Sequence, residues 1–552
     1  MNHKTYDYII VGGGSAGCVL AHRLSADPAA SVLLLEAGAG DRHPFFHWPA
    51  GFAKMTKGIG SWGWSTVPQR HLGGRALRFT QAKVIGGGSS INAQIYTRGH
   101  PSDYDTWADE DGARGWGYED VLPYFRRAED NERYANRYHG EGGPLGVSNP
   151  ISPLPICEAF FRAGQVMGIP FNPDFNGERQ AGLGYYQLTQ RQARRSSTAT
   201  AYLHPVRARA NLAVTLQAQA TRVLVERGRA VGVEFADRGS QLQQVRARRE
   251  VIVASGAIGS PRLLMLSGIG PADHLRTVGI DVVHALPGVG GNLQDHLDLF
   301  VIAECTGDHT YDKYNKPHHA AWAGLQYLLW RKGPVASSLF ETGGFWHADG
   351  QAGAPGAAPD IQFHLGLGSG IEAGVAKMRH AGVTLNSAYL RPRSRGTVRL
   401  ASADPKAAPL IDPNYWAVPE DRVQALKGLK LARELLRQAP LARYVRSELL
   451  PGPGMITDED LFRYACAHAK TDHHPVGTCR IGAEHDPAAV VTPALKVLGM
   501  DGLRVVDASV MPRVPSCNTN APTIMVAERA ADLILGRIPD VVAEVAAEGS
   551  PT

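Results

Sequence analysis

Tyr8-Ile9-Ile10-Val11-Gly12-Gly13-Gly14-Ser15-Ala16-Gly17 decides how the first part of the chain folds. Four apolar residues without polar alternation mark a strand buried on both faces, as in a parallel sheet. Gly12, Gly14 and Gly17 then fall on a G-x-G-x-x-G pattern, followed by a helical stretch from Cys18 to Leu24 and a second strand from Ser31 to Leu35. That strand closes on Glu36 and Ala37. A strand, a glycine turn, a helix and a strand within about 30 residues, with an acid about 20 positions on, is the setting a dinucleotide site needs. Gly12 permits the tight turn, and Gly14 lets backbone approach a pyrophosphate. That pyrophosphate then meets the helix N-terminus, whose unpaired N–H groups and dipole favour negative charge. Gly17 lets helix and strand pack closely, and Glu36 can accept ribose hydroxyls. The pattern does not separate FAD from NAD.

Working outward, 552 residues leave room for two or three cores. Apolar content of 44 %, charged content of 20 % and a net charge of +5 suit a globular enzyme and exclude a nucleic-acid arm. Six cysteines without CxxC spacing indicate neither a zinc site nor a disulfide frame, so no metal is expected. No apolar run approaches the roughly 20 residues of a membrane span. A first strand from about Tyr6 leaves no room for a signal peptide, so the expectation is a cytoplasmic chain, with peripheral membrane contact left open.

After Glu36 comes a loop rich in aromatics: Phe45, Phe46, Trp48, Trp62 and Trp64. It reads equally as a pocket wall, with Trp62 as a lining candidate, or as ordinary packing. Ala82-Lys83-Val84-Ile85-Gly86-Gly87-Gly88-Ser89-Ser90-Ile91-Asn92, with Ala93 next, cannot be a helix interior, since each glycine there costs roughly 1 kcal/mol. It suits backbone passing close beneath a flat ring or a phosphate.

This segment resembles the first signature of the glucose–methanol–choline (GMC) family of FAD-dependent oxidoreductases. Gly256-Ala257-Ile258-Gly259-Ser260-Pro261-Arg262-Leu263-Leu264-Met265-Leu266-Ser267-Gly268-Ile269-Gly270 resembles the second. Leu286 to His296, Ile411 to Tyr415 and Val505 to Ser509 are similar to family segments too, and the pattern is closest to bacterial acceptor-dependent alcohol and choline dehydrogenases. The resemblance implies FAD held by Gly12, Gly14, Ser15, Ala16, Gly17, Glu36, Ala37, Val84, Gly87, Asn92, Ala93, Val223, Asp507, Ala508, Ala521 and Thr523. Family members with covalent FAD carry a histidine where Ile91 stands here, so non-covalent FAD is expected. Gln81-Ala82 departs from the Arg-Gly of many members and puts one contact there in doubt.

The fold class expected is a Rossmann-like FAD-binding domain with a parallel sheet, joined to a substrate domain with a mostly antiparallel sheet backed by helices. Leu212 to Leu224 and Ala230 to Phe235 read as strands of a small sheet, and Glu250 to Ala254 as a buried strand. Gly343 to Trp346, Asp360 to His364 and Val383 to Tyr389 read as strands of the second domain, with Arg422 to Arg437 helical. The boundaries expected are 1–157, 195–310 and 465–540 for FAD, 158–194 and 311–464 for substrate, and a tail at 541–552.

Thr471-Asp472-His473-His474-Pro475-Val476-Gly477-Thr478 matches the family's T-x-x-H-P-x-G-T, which places the catalytic base at His474. The second catalytic position, histidine or asparagine in the family, is placed at Asn520, where a proline near the first turn opens a helix running to about Leu535. The implied reaction is oxidation of a primary alcohol to an aldehyde. His474 takes the hydroxyl proton, hydride goes to flavin N5, and electrons pass to a quinone, a redox protein or O₂. Alternatives are choline dehydrogenation, with Glu341 facing the trimethylammonium group, oxidase use of O₂, and a cyanohydrin lyase. His364 is a further pocket candidate.

Overall fold

The computed structural model describes residues 4–55, 58–354, 356–369 and 381–538, so the expected tail at 541–552 lies outside the described residues. The strands and helices that matter are, in chain order, β1 (Thr5–Val11), α1 (Ser15–Leu24), β2 (Val32–Glu36), β3 (Gly182–Tyr185), β4 (Leu212–Leu216) and β5 (Gln219–Glu226). Next come β6 (Arg229–Ala236), β7 (Leu242–Val253), α2 (Gly256–Leu266), β8 (Leu297–Cys305), α3 (Pro317–Trp330) and β9 (Thr342–Trp346). The remainder are β10 (Ile361–Gly366), β11 (Gly382–Tyr389), α4 (Pro419–Arg437), β12 (Val445–Leu450), β13 (Lys470–Thr471), β14 (Leu503–Val505) and α5 (Asn520–Ile534).

One sheet runs β4-β2-β1-β7-β6-β5. β1 is parallel to β2 on one side and to β7 on the other, and β4 and β14 add further parallel pairings. Continuous apolar runs are what such strands require, because helices cover both faces. Every residue of β2, and every residue of β1 after Thr5, is buried. α1 and α5 pack together on this sheet and share its core. At the C-terminal end of β1 two glycines are obligatory. Gly12 adopts φ +110°, and a Cβ there would sit 2.4 Å from the Ala254 carbonyl oxygen; one at Gly17 would sit 1.8 Å from the Gly12 carbonyl oxygen.

The second sheet is antiparallel, in the order β12-β8-β11-β10-β9-β3, with α4 against one face and a core of its own. The mixed α/β class and the antiparallel substrate-side sheet match the expectation.

Details differ from it. Leu212–Leu216 is no part of a separate small sheet: it is the parallel edge strand of the first, and β5 and β6 join the same sheet through the long β7. β8, expected with the FAD segments, lies inside the second sheet, and β13 pairs onto it. β8 is almost wholly buried, Asp298 included, and apart from Asp298 and Glu304 its residues are apolar. The helix Pro155–Val166 spans the boundary expected at 157/158 and packs into the second core.

Candidate active site

Between the two sheets lies a cavity of about 580 Å³. Its floor is the end of β1, the α1 N-terminus, the glycine turn at 86–88 and the α2 N-terminus; its far wall is the 467–475 segment with Asn518, Thr519 and Asn520. Of the residues expected to hold FAD, Gly12, Gly14, Ser15, Ala16, Glu36, Ala37, Val84, Gly87, Asn92, Ala93, Asp507, Ala508 and Thr523 line it.

The donor set fits a dinucleotide. A Cβ at Gly88 or Gly256 would meet nothing within 4 Å, and one at Gly14 nothing nearer than 3.8 Å, so these glycines face open space where a ligand would lie. α1 begins without a side-chain cap and without an acid in its first turn, which leaves its N–H groups to an anion. Glu36 stands at the end of β2, its carboxylate accepting from Gly13 N at 2.7 Å and Gly38 N at 2.6 Å, and burial pushes its pKa up to about 7.

Four expected positions are elsewhere. Gly17 and Val223 do not line the cavity; Gly17 carries the close helix–strand approach, and the Val223 N–H donates to Ser267 Oγ at 2.8 Å. Ala521 is buried in the core behind Asn520. Glu341 is also off the cavity, beside Ser337 and Tyr311, with a carboxyl that burial raises to about 7.

His474 and His364 both line the cavity, as does Trp62, stacked on Trp64 at 4.9 Å. The position of His474 is fixed from several sides. Its backbone N–H donates to Asp295 Oδ1 at 2.7 Å, and Asp295 also accepts from the hydroxyls of Thr471 and Tyr415. Burial nevertheless raises Asp295 to about 7.

The hydrogen bonds assign the imidazole tautomers. His296 Nε2 lies 3.1 Å from the Leu390 carbonyl oxygen, which can only accept, so His296 carries its proton on Nε2. Its Nδ1 is then a lone pair, 3.0 Å from His474 Nδ1. Asp472 Oδ2 lies 3.3 Å from the same His474 nitrogen. Flanked by two acceptors, His474 Nδ1 holds the proton, and Nε2 presents its lone pair on the opposite side of the ring.

The group facing Nε2 is Asn518, whose Nδ2 is 3.2 Å away. The Asn518 amide is oriented by Thr97 Oγ1 and Gln362 Nε2, each donating to its Oδ1 at 3.0 Å. This corrects the expectation for Asn520: its Oδ1 accepts from Ser15 Oγ at 2.8 Å, which ties it to the α1 N-terminus and not to the imidazole. Cys517-Asn518-Thr519-Asn520 offers two amides two residues apart, and only the path of the chain into α5 decides which meets His474. Asn518, His296 and Asp295 were missed; the last two lie within the Leu286–His296 segment, where nothing local distinguishes them.

Burial, and after it the neighbouring His296, His364, His473 and Lys470, hold the His474 imidazole well below its usual value of 6.5. His296 and His364 are likewise lowered by burial, to about 4. A group whose folded pKa is depressed stays neutral at and above its unperturbed value. The imidazole is therefore neutral and able to accept a proton at neutral pH, and if it is the base the acid limb of kcat/KM falls below pH 6.5. A limb centred above that value in a pH–rate profile would contradict the burial.

Two sets of three donors, His296-Asp472-His474 and Asp298-His364-Asp472, have ligand atoms within 4.8 Å of one another, a clustering that sequence spacing did not foretell. The hydrogen bonds of the imidazoles account for the first. In the second, Asp298 accepts from Lys470 Nζ at 2.7 Å and Asn386 Nδ2 at 3.1 Å.

Family models described as GMC oxidoreductase match residues 6–298 and 392–527. The chain is 42 % identical over 539 residues to an alcohol dehydrogenase [acceptor] of Pseudomonas putida, covering 97 % of this chain and 96 % of that one. It is 44 % identical to the mitochondrial choline dehydrogenase of Homo sapiens, covering 96 % and 90 %. Among solved structures, pyridoxine 4-oxidase from Mesorbium loti superposes with a TM-score of 0.85 at 32 % identity, covering 95 % and 98 %.

Proposed function

The chain belongs to the GMC oxidoreductase family, whose members oxidise CH–OH groups with FAD, and on that premise we propose that it oxidises an uncharged primary alcohol to the aldehyde at the His474–Asn518 pair. The observation that carries this is the 3.2 Å approach of an amide donor to an imidazole lone pair at the cavity wall. An alcohol oxygen that replaces this hydrogen bond, the two side chains parting to admit it, donates its proton to His474 Nε2 and accepts from Asn518 Nδ2. Loss of that proton supplies the electron density on oxygen that hydride departure from the carbinol carbon requires. Asn518 fixes the oxygen and, through it, the direction of the C–H bond. FAD, when bound, accepts the hydride.

Gly12, Gly14, Ser15, Glu36, Gly87, Asp507 and Ala508 would hold that cofactor along the floor, and Asn520 would tie the α1 and α5 N-termini together beneath it. Binding is non-covalent, because Ile91 offers no nucleophile. Acid precipitation is expected to release all the flavin into the supernatant; colour kept in the pellet would contradict this.

The preference for an uncharged substrate over choline rests on the lining. Phe340 packs on His364 at 6.3 Å and on Phe52 at 5.8 Å, an apolar wall beside the pair; Glu341 does not line the cavity, and of the charged groups on that wall Lys470 is paired with Asp298 at 2.7 Å and Asp472 lies 3.3 Å from His474 Nδ1. Electrons leave to a quinone, a redox protein or O₂. A panel of aliphatic alcohols, aryl alcohols and choline, run with a dye acceptor and then with O₂ alone, tests the assignment. Primary alcohols are expected to exceed choline in kcat/KM by at least tenfold, and choline as the best substrate would overturn it.

A further inference from the structure

α3 (Pro317–Trp330) contains no Asp, Glu, Lys or Arg, and apart from His318, His319, Gln326 and the Tyr327 hydroxyl its side chains are apolar. A helix of that kind belongs inside a core or in contact with lipid. Here only one face is covered. Ala323 and Tyr327 are buried, the Tyr327 hydroxyl donating to the Ala193 carbonyl at 2.9 Å and its ring meeting Trp48 at 6.2 Å. Away from that contact Trp322, Leu325, Leu328, Leu329 and Trp330 are exposed, at 50 %, 43 %, 64 %, 61 % and 57 %. Trp322, Leu325 and Leu329 follow at i, i+3 and i+7, which aligns them along one stripe. A stripe of large apolar side chains is the mark of a docking surface.

The flanks say what docks. Lys313 and Lys316 precede the helix and Arg331 and Lys332 follow it, with no acidic residue between Lys313 and Lys332. Cations at both ends of an apolar stripe complement a surface that is apolar within and anionic at its rim. Two tryptophans beside them, 6.4 Å apart, suit the headgroup level, where an amphipathic ring sits between tails and water. Fourteen residues at about 1.5 Å each reach roughly 21 Å, short of the roughly 30 Å of a bilayer core, so the helix lies along the surface.

We propose that the outer face of α3 docks the protein on an anionic phospholipid membrane, its leucines and tryptophans entering the headgroup–acyl boundary and its flanking cations meeting lipid phosphate. The docked helix rests on Trp48, which heads the turn leading to Phe52 in the cavity wall. Membrane and cavity then share one support, which suits a lipid-soluble acceptor, although the surface assignment stands whether or not His474 is the base.

The test is flotation of FAD-loaded protein with vesicles of phosphatidylcholine alone and of phosphatidylcholine mixed with phosphatidylglycerol. Wild type is expected to float with the mixed vesicles and to partition at least tenfold less onto the neutral ones. The L328E/L329E variant should lose flotation, K316E/K332E should fall to the neutral-vesicle level, and both should keep wild-type turnover with a soluble dye acceptor, which shows that they fold. The proposal is overturned if L328E/L329E floats like wild type. It is equally overturned if wild type ignores both vesicles and sediments as a dimer that L328E/L329E converts to monomer, since a second copy would then cover the face.

Discussion

Replacing His474 by alanine is expected to slow flavin bleaching by a primary alcohol by about 10²–10⁴-fold, the range over which a positioned base contributes. That corresponds to about 3–5 kcal/mol of barrier. The effect is this large because the Nε2 lone pair, turned toward the cavity by the Leu390–His296–His474 relay, is the acceptor that the hydrogen bonds hold beside Asn518. Bound FAD should be unchanged, since the floor of the cavity is built from other segments. Rapid mixing of the loaded variant with alcohol, and the flavin content after gel filtration, measure the two quantities separately. Bleaching at the wild-type rate would remove His474 from the chemistry.

The second large effect separates the two asparagines. Asn518→Ala takes away the donor facing Nε2, and kcat/KM is expected to fall by about 10²–10³-fold, as when one donor to a reacting oxygen is removed. Asn520→Ala removes a bond to Ser15 at the α1 N-terminus. One neutral hydrogen bond amounts to about 0.5–1.5 kcal/mol, so this variant should hold FAD up to about tenfold more weakly and turn over near the wild-type rate once FAD is saturating. Steady-state kinetics across an FAD titration distinguish the two. The reverse pattern, with Asn520→Ala slow at saturating FAD and Asn518→Ala normal, would return the catalytic amide to Asn520.

The asparagine pair marks where sequence reasoning ran out. The first βαβ unit was legible in detail, because an apolar run ending on Gly12, a helix with Gly17 on its inner face and an acid at Glu36 obey local steric rules. His474 was legible because its neighbours Pro475 and Gly477 form part of a long pattern. Which amide faces it was not, since Asn518 and Asn520 differ only in the turn that leads into α5. His296 could not be singled out either, because its partners at 390 and 474 are remote in sequence. The boundary expected at 310 fell beyond β8, because nothing in Leu297–Cys305 itself tells which sheet it joins; its partners at 382–389 are remote in sequence. The helical stretch from 317 to 330 passed within a region read mainly as sheet, and its open face emerges only from the packing of Tyr327 inward.

The account stands or falls on whether a carbinol between His474 and Asn518 gives its hydride to flavin in this cavity. The direct measurement is rapid mixing of FAD-loaded wild-type protein with a primary alcohol in the absence of oxygen, followed at the flavin absorbance band. The band should disappear in a single turnover with aldehyde formed in equal amount, and more slowly when the carbinol carbon carries deuterium. A band left unchanged by every alcohol, or cyanohydrin cleavage without any change in the flavin, would contradict it.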